Sequence, residues 1–226
     1  YRDVPADKIR PSAAAGFEVI CVGAVSGPSV QPDAAGFGNV AENTRVAVSL
    51  PEQQRLGLVA CWWESFRVLR DTMPMALAYV GRCANTGAAP APQLFAVDFV
   101  QDYYGANDPD MAGALWRMHE LCLDRPVLKA LYPASLADLY QALTLANGEG
   151  FAENGEDARR NLAVLDRGRD SVKRCRNAYA AALLGARITA KAYENGVRLR
   201  EALALYQRAR SADESKRSRD DVLALE

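Results

Sequence analysis

The sequence predicts a mainly α-helical protein: a helical bundle behind an extended Pro/Gly-rich N-terminal arm, followed by a long amphipathic C-terminal helix or helical hairpin. Three observations carry this. Helix breakers crowd residues 1–48, where Pro5, Pro11, Pro28 and Pro32 join Gly16, Gly23, Gly27, Gly36 and Gly38. Between 49 and 150, apolar residues recur at helical spacing behind cap residues. From Ala158 to Arg219 an apolar and a basic stripe run side by side, with 16 of the chain's 27 Lys and Arg residues against six acids, a net charge of +10.

The expected order is an arm over 1–48, a bundle over 49–150, a basic helix or hairpin over 156–210 and a charged tail over 211–226. Within the arm, Phe17 to Val25 is rich in Val and Ile and reads as a short strand, with Thr44 to Ser49 as a candidate partner. Ser49, Pro51 and Glu52 read as a helix start, continued by Leu56, Val59, Trp62, Trp63, Phe66 and Leu69. A second helix opens at Thr72 to Pro74 and stops at Asn85 and Gly87. Gln93 to Tyr104 fits both periods, and its neighbours favour helix. Asp108 and Pro109 cap and open a helix that Arg125 and Pro126 end. Shorter helices follow over Val127 to Leu131 and from Ser135 to Leu145, before a glycine-rich link from Asn147 to Gly155.

At 100° per residue, Val164, Leu165, Val172, Cys175, Tyr179, Ala182, Leu183, Ala186, Ala190, Tyr193 and Val197 share an arc of about 100°. Arg169, Lys173, Arg176, Arg187, Lys191 and Arg198 share a neighbouring arc of about 60°. Leu199, Leu203 and Tyr206 fall on the opposite side, so Asn195 and Gly196 are expected to end one helix of about 55 Å and begin another.

Several chemistries find little support. His119 is the single histidine, and its i, i+3 spacing to Cys122 supplies two metal ligands at most, which favours a packing role. His119 would have to supply the base and no GxSxG elbow is present, so Ser-His-Asp and Cys-His catalysis are disfavoured. Gly36-Phe37-Gly38-Asn39-Val40-Ala41 matches the G-x-G-x-x-A pyrophosphate loop, but no strand leads directly into it, no helix clearly follows and no parallel-sheet pattern is visible. A glycine turn is expected there. Asp98 and Asp102 are expected to pair with basic residues, and Asp108 to act as a cap. Neither a catalytic residue, a cofactor nor a metal site is assigned.

The five cysteines are scattered without a CxxC pair, which argues against a disulfide framework and a zinc ribbon; Cys61, Cys122 and Cys175 sit in apolar helical patterns and read as buried free thiols, which favours a reducing compartment. No apolar run approaches the roughly 20 residues of a membrane span. The chain starts at Tyr1, so an initiator Met and any targeting peptide are expected to lie outside the sequence, and localisation is left open.

Phe95-Ala96-Val97-Asp98-Phe99 resembles, over five residues, the aromatic, alanine and Phe-Asp box of flexible filamentous plant-virus coat proteins. The resemblance implies an arm, a helical core and RNA binding. The preceding basic residue is missing, the spacing differs by one and the basic C-terminal helix has no counterpart, so the resemblance assigns no site.

The functional expectation is a non-catalytic assembly subunit that contacts other protein subunits through its arm and long helix. Trp62, Trp63, Tyr179 and Tyr193 are the candidate interface aromatics. The alternative is a nucleic-acid-binding or coat-type protein. In it the six stripe residues, whose like charges repel at i, i+4, would track phosphates; in the assembly reading they would face an acidic protein surface, of the same subunit or the next. An enzyme with an unrecognised site ranks third.

Overall fold

The computed structural model describes residues 6–26, 40–62, 74–122 and 148–211. The fold is mainly α-helical, with a long C-terminal helix. The helices expected at 127–131 and from 135 to 145 lie outside the described residues, as do Trp63 and the tail beyond Ser211.

The first 48 residues hold more regular structure than an extended arm. Helix α1 (Ala6–Ala14) closes at Gly16, whose φ of 86° lets the Phe17 N–H reach back to the Ser12 carbonyl at 3.2 Å. Strand β1 (Val19–Ser26) forms where expected. Its partner is a correction: Thr44 to Ser49 belongs to helix α2 (Val40–Val48) and the turn after it, and β1 pairs in parallel with β2 (Arg55–Trp62). Position 49 also has a different role, because the Ser49 hydroxyl donates to the Val46 carbonyl at 2.7 Å and finishes α2. A single 3₁₀ turn, Glu52–Gln54, then leads into β2. The helix expected from Leu56 is therefore a strand up to Trp62. Its apolar run from Leu56 suits a parallel strand, and spacings of three residues alone do not distinguish the two.

Helix α2 starts at Val40, inside the G-x-G-x-x-A stretch, and β1 and β2 are parallel. Two of the arguments against a phosphate loop at that stretch therefore fail. The third holds, since nine residues separate Ser26 from Gly36 whereas such a loop follows its strand directly. Gly36 to Asn39 lie outside the described residues.

The central helices form as expected. Helix α3 (Pro74–Thr86) has proline in its first turn and ends at Gly87, with φ of 66°. Helix α4 (Pro92–Phe99) passes into a π-helical turn, Val100–Tyr104, which Gly105 terminates with φ of 67°. Asp108 caps helix α5 (Pro109–Cys122) by accepting the Met111 N–H at 2.9 Å. Phe95, Phe99, Tyr104 and Tyr179 form a chain of aromatic contacts with successive ring centroids 5.2–6.1 Å apart.

The C-terminal region is a hairpin whose turn lies elsewhere than expected. The glycine-rich link is helical instead: α6 runs from Gly148 to Gly168, and Gly148, Gly150 and Gly155 lie within it. The chain then breaks through a 3₁₀ turn, Arg169–Ser171, an extended Val172 and Cys175 at φ of 48°. Helix α7 (Arg176–Ser211) continues through Asn195 and Gly196 without interruption. Gly196 marks a close crossing and not a helix end, because a β-carbon there would overlap the Phe151 ring of α6. At 1.5 Å per residue its 36 residues span about 54 Å.

Leu165, Val172, Tyr179, Ala182, Leu183, Ala186, Ala190 and Tyr193 are all buried, so the apolar arc is the core face of the hairpin. Its cover is intramolecular: α7 packs along α6 and also against α5. Cys175 departs from the arc and is exposed, since the turn removes it from the helical register; Cys83 is a buried free thiol.

Candidate functional site

The six basic residues of the stripe are all exposed, and the hairpin divides them into two groups. Arg169 and Lys173 lie in the turn, so the expected i, i+4 repulsion between them does not arise on a helix. Arg187, Lys191 and Arg198 lie on α7 and each meets a carboxylate. Arg187 pairs with Asp166 at 2.7 Å, Lys191 with Glu194 at 2.9 Å and Arg198 with Glu194 at 2.5 Å. The Lys191 ammonium first, and then the charges of Arg198 and Lys191, hold the Glu194 carboxyl below the usual carboxylate range. Among the described residues, Arg169, Lys173 and Arg176 form no ion pair.

Arg169, Arg176 and Arg187 converge on one groove of about 510 Å³ at the turn of the hairpin. Its wall on α7 carries Arg176, Ala180, Leu183 and Arg187, at spacings that place them on one helical face. Asp170 and Val172 close it from the turn, and Asn177 adds a polar group at the first turn of α7. Lys191 and Arg198 are not part of this groove.

An anchor not seen in the sequence holds the turn. The backbone N–H groups of Lys173 and Arg174 both donate to the Tyr104 carbonyl at 3.0 Å, and the Arg174 guanidinium donates to the Gln101 carbonyl at 3.0 Å. Carbonyls left open by the π-helical turn are thereby satisfied, and a cation sits where the helix dipole favours one. Nothing in the sequence separates Arg174 from its basic neighbours, because residues 172–175 are not helical and have no period to read.

Of the candidate interface aromatics, Tyr179 and Tyr193 are buried inside the chain. The Tyr179 hydroxyl donates to the Leu165 carbonyl at 2.7 Å and that of Tyr193 to the Leu121 carbonyl at 2.8 Å, tying α7 to the C-terminal ends of α6 and α5. Burial, reinforced by the charges of Asp108 and Asp166, pushes the Tyr179 hydroxyl well above the usual phenol range. Both are core residues here, which corrects their reading as interface aromatics. Trp62 ends β2, and Trp63 lies outside the described residues.

His119 is buried with its ring 5.6 Å from that of Trp116, the packing role expected of it. Asp98 pairs with Arg82 at 2.5 Å. Phe95, Ala96 and Phe99 of the coat-protein-like box are buried, so its spacing here is that of a helix packing into the core. Among the described residues no group of three or more His, Cys, Asp or Glu side chains converges as a metal site would require.

A second surface lies on the sheet. Helix α2 packs against both strands and α3 against β2. The register pairs Val22 with Val59, and the two-residue alternation puts Ile20 on the same face as Val59. Ile20 is 50% exposed and Val59 45% exposed, with Phe17, just ahead of β1, at 66%. Among the described residues no helix is long and apolar enough to cross a membrane. No family model matches the chain, and no similar curated protein or solved structure was found.

Proposed function

We propose that this chain is a non-catalytic structural subunit that assembles with further copies of itself through the face of its two-stranded sheet that bears the exposed Ile20 and Val59. The observation that carries this reading is the pair β1 and β2. Parallel strands occur almost only where both faces are covered, and two strands alone are marginally stable in water. Here one face carries α2 and α3, whereas the other presents Ile20 and Val59 to solvent and both outer edges lack a third strand among the described residues. An exposed apolar face of this kind marks a contact site.

A second copy is the partner that the charge distribution favours. Residues 1–157 carry a net charge of −8, against +10 over 158–219. Opposite fields on the two parts of one chain attract head to tail and speed encounter.

Sedimentation across the micromolar range tests the reading. The wild-type chain should run larger than a single subunit, and the double variant Ile20→Asp/Val59→Asp should run as a monomer with an unchanged helical circular-dichroism signal. A wild-type chain that stays strictly monomeric throughout that range overturns the proposal.

A further inference from the structure

The groove at the hairpin turn has no part in the assembly reading and does not depend on it. We propose that it is a binding site for single-stranded nucleic acid, gripping successive phosphates with Arg169, Arg176 and Arg187.

The chemistry of the lining selects the ligand class. Three guanidinium groups face one lining carboxylate, Asp170, and with Asp166, the partner of Arg187, the local charge is still positive at +1. Guanidinium forks bind phosphate oxygens bidentately, and the positive end of the α7 dipole lies at the same place. The cations are available. The Nε of Arg176 donates to the Val172 carbonyl at 3.1 Å, which fixes the base of the side chain and leaves its two terminal nitrogens for a ligand. Arg187 is shared with Asp166 in a pair exposed on both sides, and such pairs contribute little, so exchanging that carboxylate for phosphate costs little.

Geometry separates a strand from other polyanions. Arg176 and Arg187 are eleven residues apart, about 16 Å along the helix, which exceeds the reach of a single phosphate and suits a chain of them. A duplex is a stiff rod, whereas a flexible single strand can bend into a groove of this size between the turn and one face of α7. Val172, Ala180 and Leu183 provide an apolar floor. These three side chains offer a base no hydrogen bond and Asn177 is a single amide at one end, so binding is expected to depend little on sequence.

The test is fluorescence anisotropy of a labelled mixed-sequence single-stranded oligonucleotide with the full chain. Three phosphate contacts on a single strand predict a slope of about −2 for log K against log salt. Arg169→Gln, Arg176→Gln and Arg187→Gln should each weaken binding about tenfold and flatten that slope by about 0.7. Asp166→Asn, which releases Arg187, should tighten it severalfold. Lys191→Gln and Arg198→Gln, outside the groove, should change it less than twofold. All five positions substituted by Gln are exposed, and circular dichroism checks folding. If a Gln variant unfolds, the wild-type salt slope and Asp166→Asn still decide. Absence of binding at low salt overturns the proposal, as does an equal loss in the Lys191 and Arg198 variants. So does displacement of the strand by equimolar tripolyphosphate or duplex.

Discussion

The backbone of Gly196 passes so closely beneath the ring of Phe151 that no β-carbon fits between them. This contact sets the approach of α6 to α7 near one end of the hairpin. It also makes a sharp prediction, because two effects oppose each other at position 196. Alanine is favoured over glycine in a helix interior by about 1 kcal/mol, whereas forcing an extra carbon into a packed crossing costs about 1–3 kcal/mol. Phe151 is buried, and a ring held in a packed core yields only at a cost, so the clash should win. Gly196→Ala should lower stability by about 1–2 kcal/mol in urea unfolding. Adding Phe151→Leu to that variant should recover part of the loss, a coupling that a double-mutant cycle reads directly. A Gly196→Ala chain as stable as wild type would mean that the helices do not pack this closely.

The same glycine shows where the sequence was legible and where it was not. Caps and periods are local, and they located α3 and α5 because Pro74, Gly87, Asp108 and Pro109 act on their immediate neighbours, whereas α4 was legible only from the helices on either side. The buried arc on α7 was legible for the same reason, as was the convergence of some basic residues beside it. Gly196 was misread because a helical glycine serving a close crossing and one ending a helix look alike without the partner helix. The strand β2 was misread because its pairing with β1 is a non-local fact, and Leu56, Val59 and Trp62 fit a helix equally well. The groove was only half visible. Arg169 and Arg176 joined Arg187 there through a turn whose anchors, Gln101 and Tyr104, lie some seventy residues upstream.

A carboxylate links α5 to α6. Asp157 accepts hydrogen bonds from Arg117 at 2.5 Å, Asn161 at 2.9 Å and Arg160 at 3.3 Å. Burial is the largest single influence and raises its pKa, but the bonds and charges of Arg117 and then Arg160 together outweigh it and hold the carboxyl below its ordinary value of 3.8. A depressed folded-state pKa means that this contribution to stability is present above the unfolded value and lost as pH falls through the folded one. Arg117 is substantially exposed, so the expected loss for Asp157→Asn at neutral pH is modest, about 1 kcal/mol. That difference from wild type should shrink as pH drops below about 4. Parallel urea titrations at neutral and acid pH measure it, and a gap that stays constant would show that the ion pair is not its source.

Cys175 occupies the left-handed region at φ of 48°, where a side chain other than glycine is strained. The residue is exposed, so replacing it removes no packing. Cys175→Gly should raise stability by up to about 1 kcal/mol, the relief of strain being partly offset by glycine's greater freedom in the unfolded chain. Cys175→Val should lower stability by more than about 1 kcal/mol, since a β-branched residue tolerates this backbone poorly. If the two variants unfold at the same denaturant concentration, the turn does not hold a positive φ at this position.

Arg174 reaches from the turn to the Gln101 carbonyl and does not line the groove, which allows its positioning role to be separated from ligand contact. Truncation in Arg174→Ala removes an exposed hydrogen bond, so global stability should fall by only about 0.5–1.5 kcal/mol. Local opening should respond more strongly. Amide exchange at Lys173 and Arg174, whose N–H groups bond the Tyr104 carbonyl, should speed up about tenfold, while exchange in the buried middle of α7 around Ala186 changes only as far as global stability does. Because Arg169 and Arg176 flank this turn, the same variant should weaken oligonucleotide binding while leaving its salt slope near the wild-type value. A slope that flattened as it does in Arg169→Gln would instead place Arg174 itself on phosphate. Unchanged exchange at Lys173 would mean that the turn is held without its arginine.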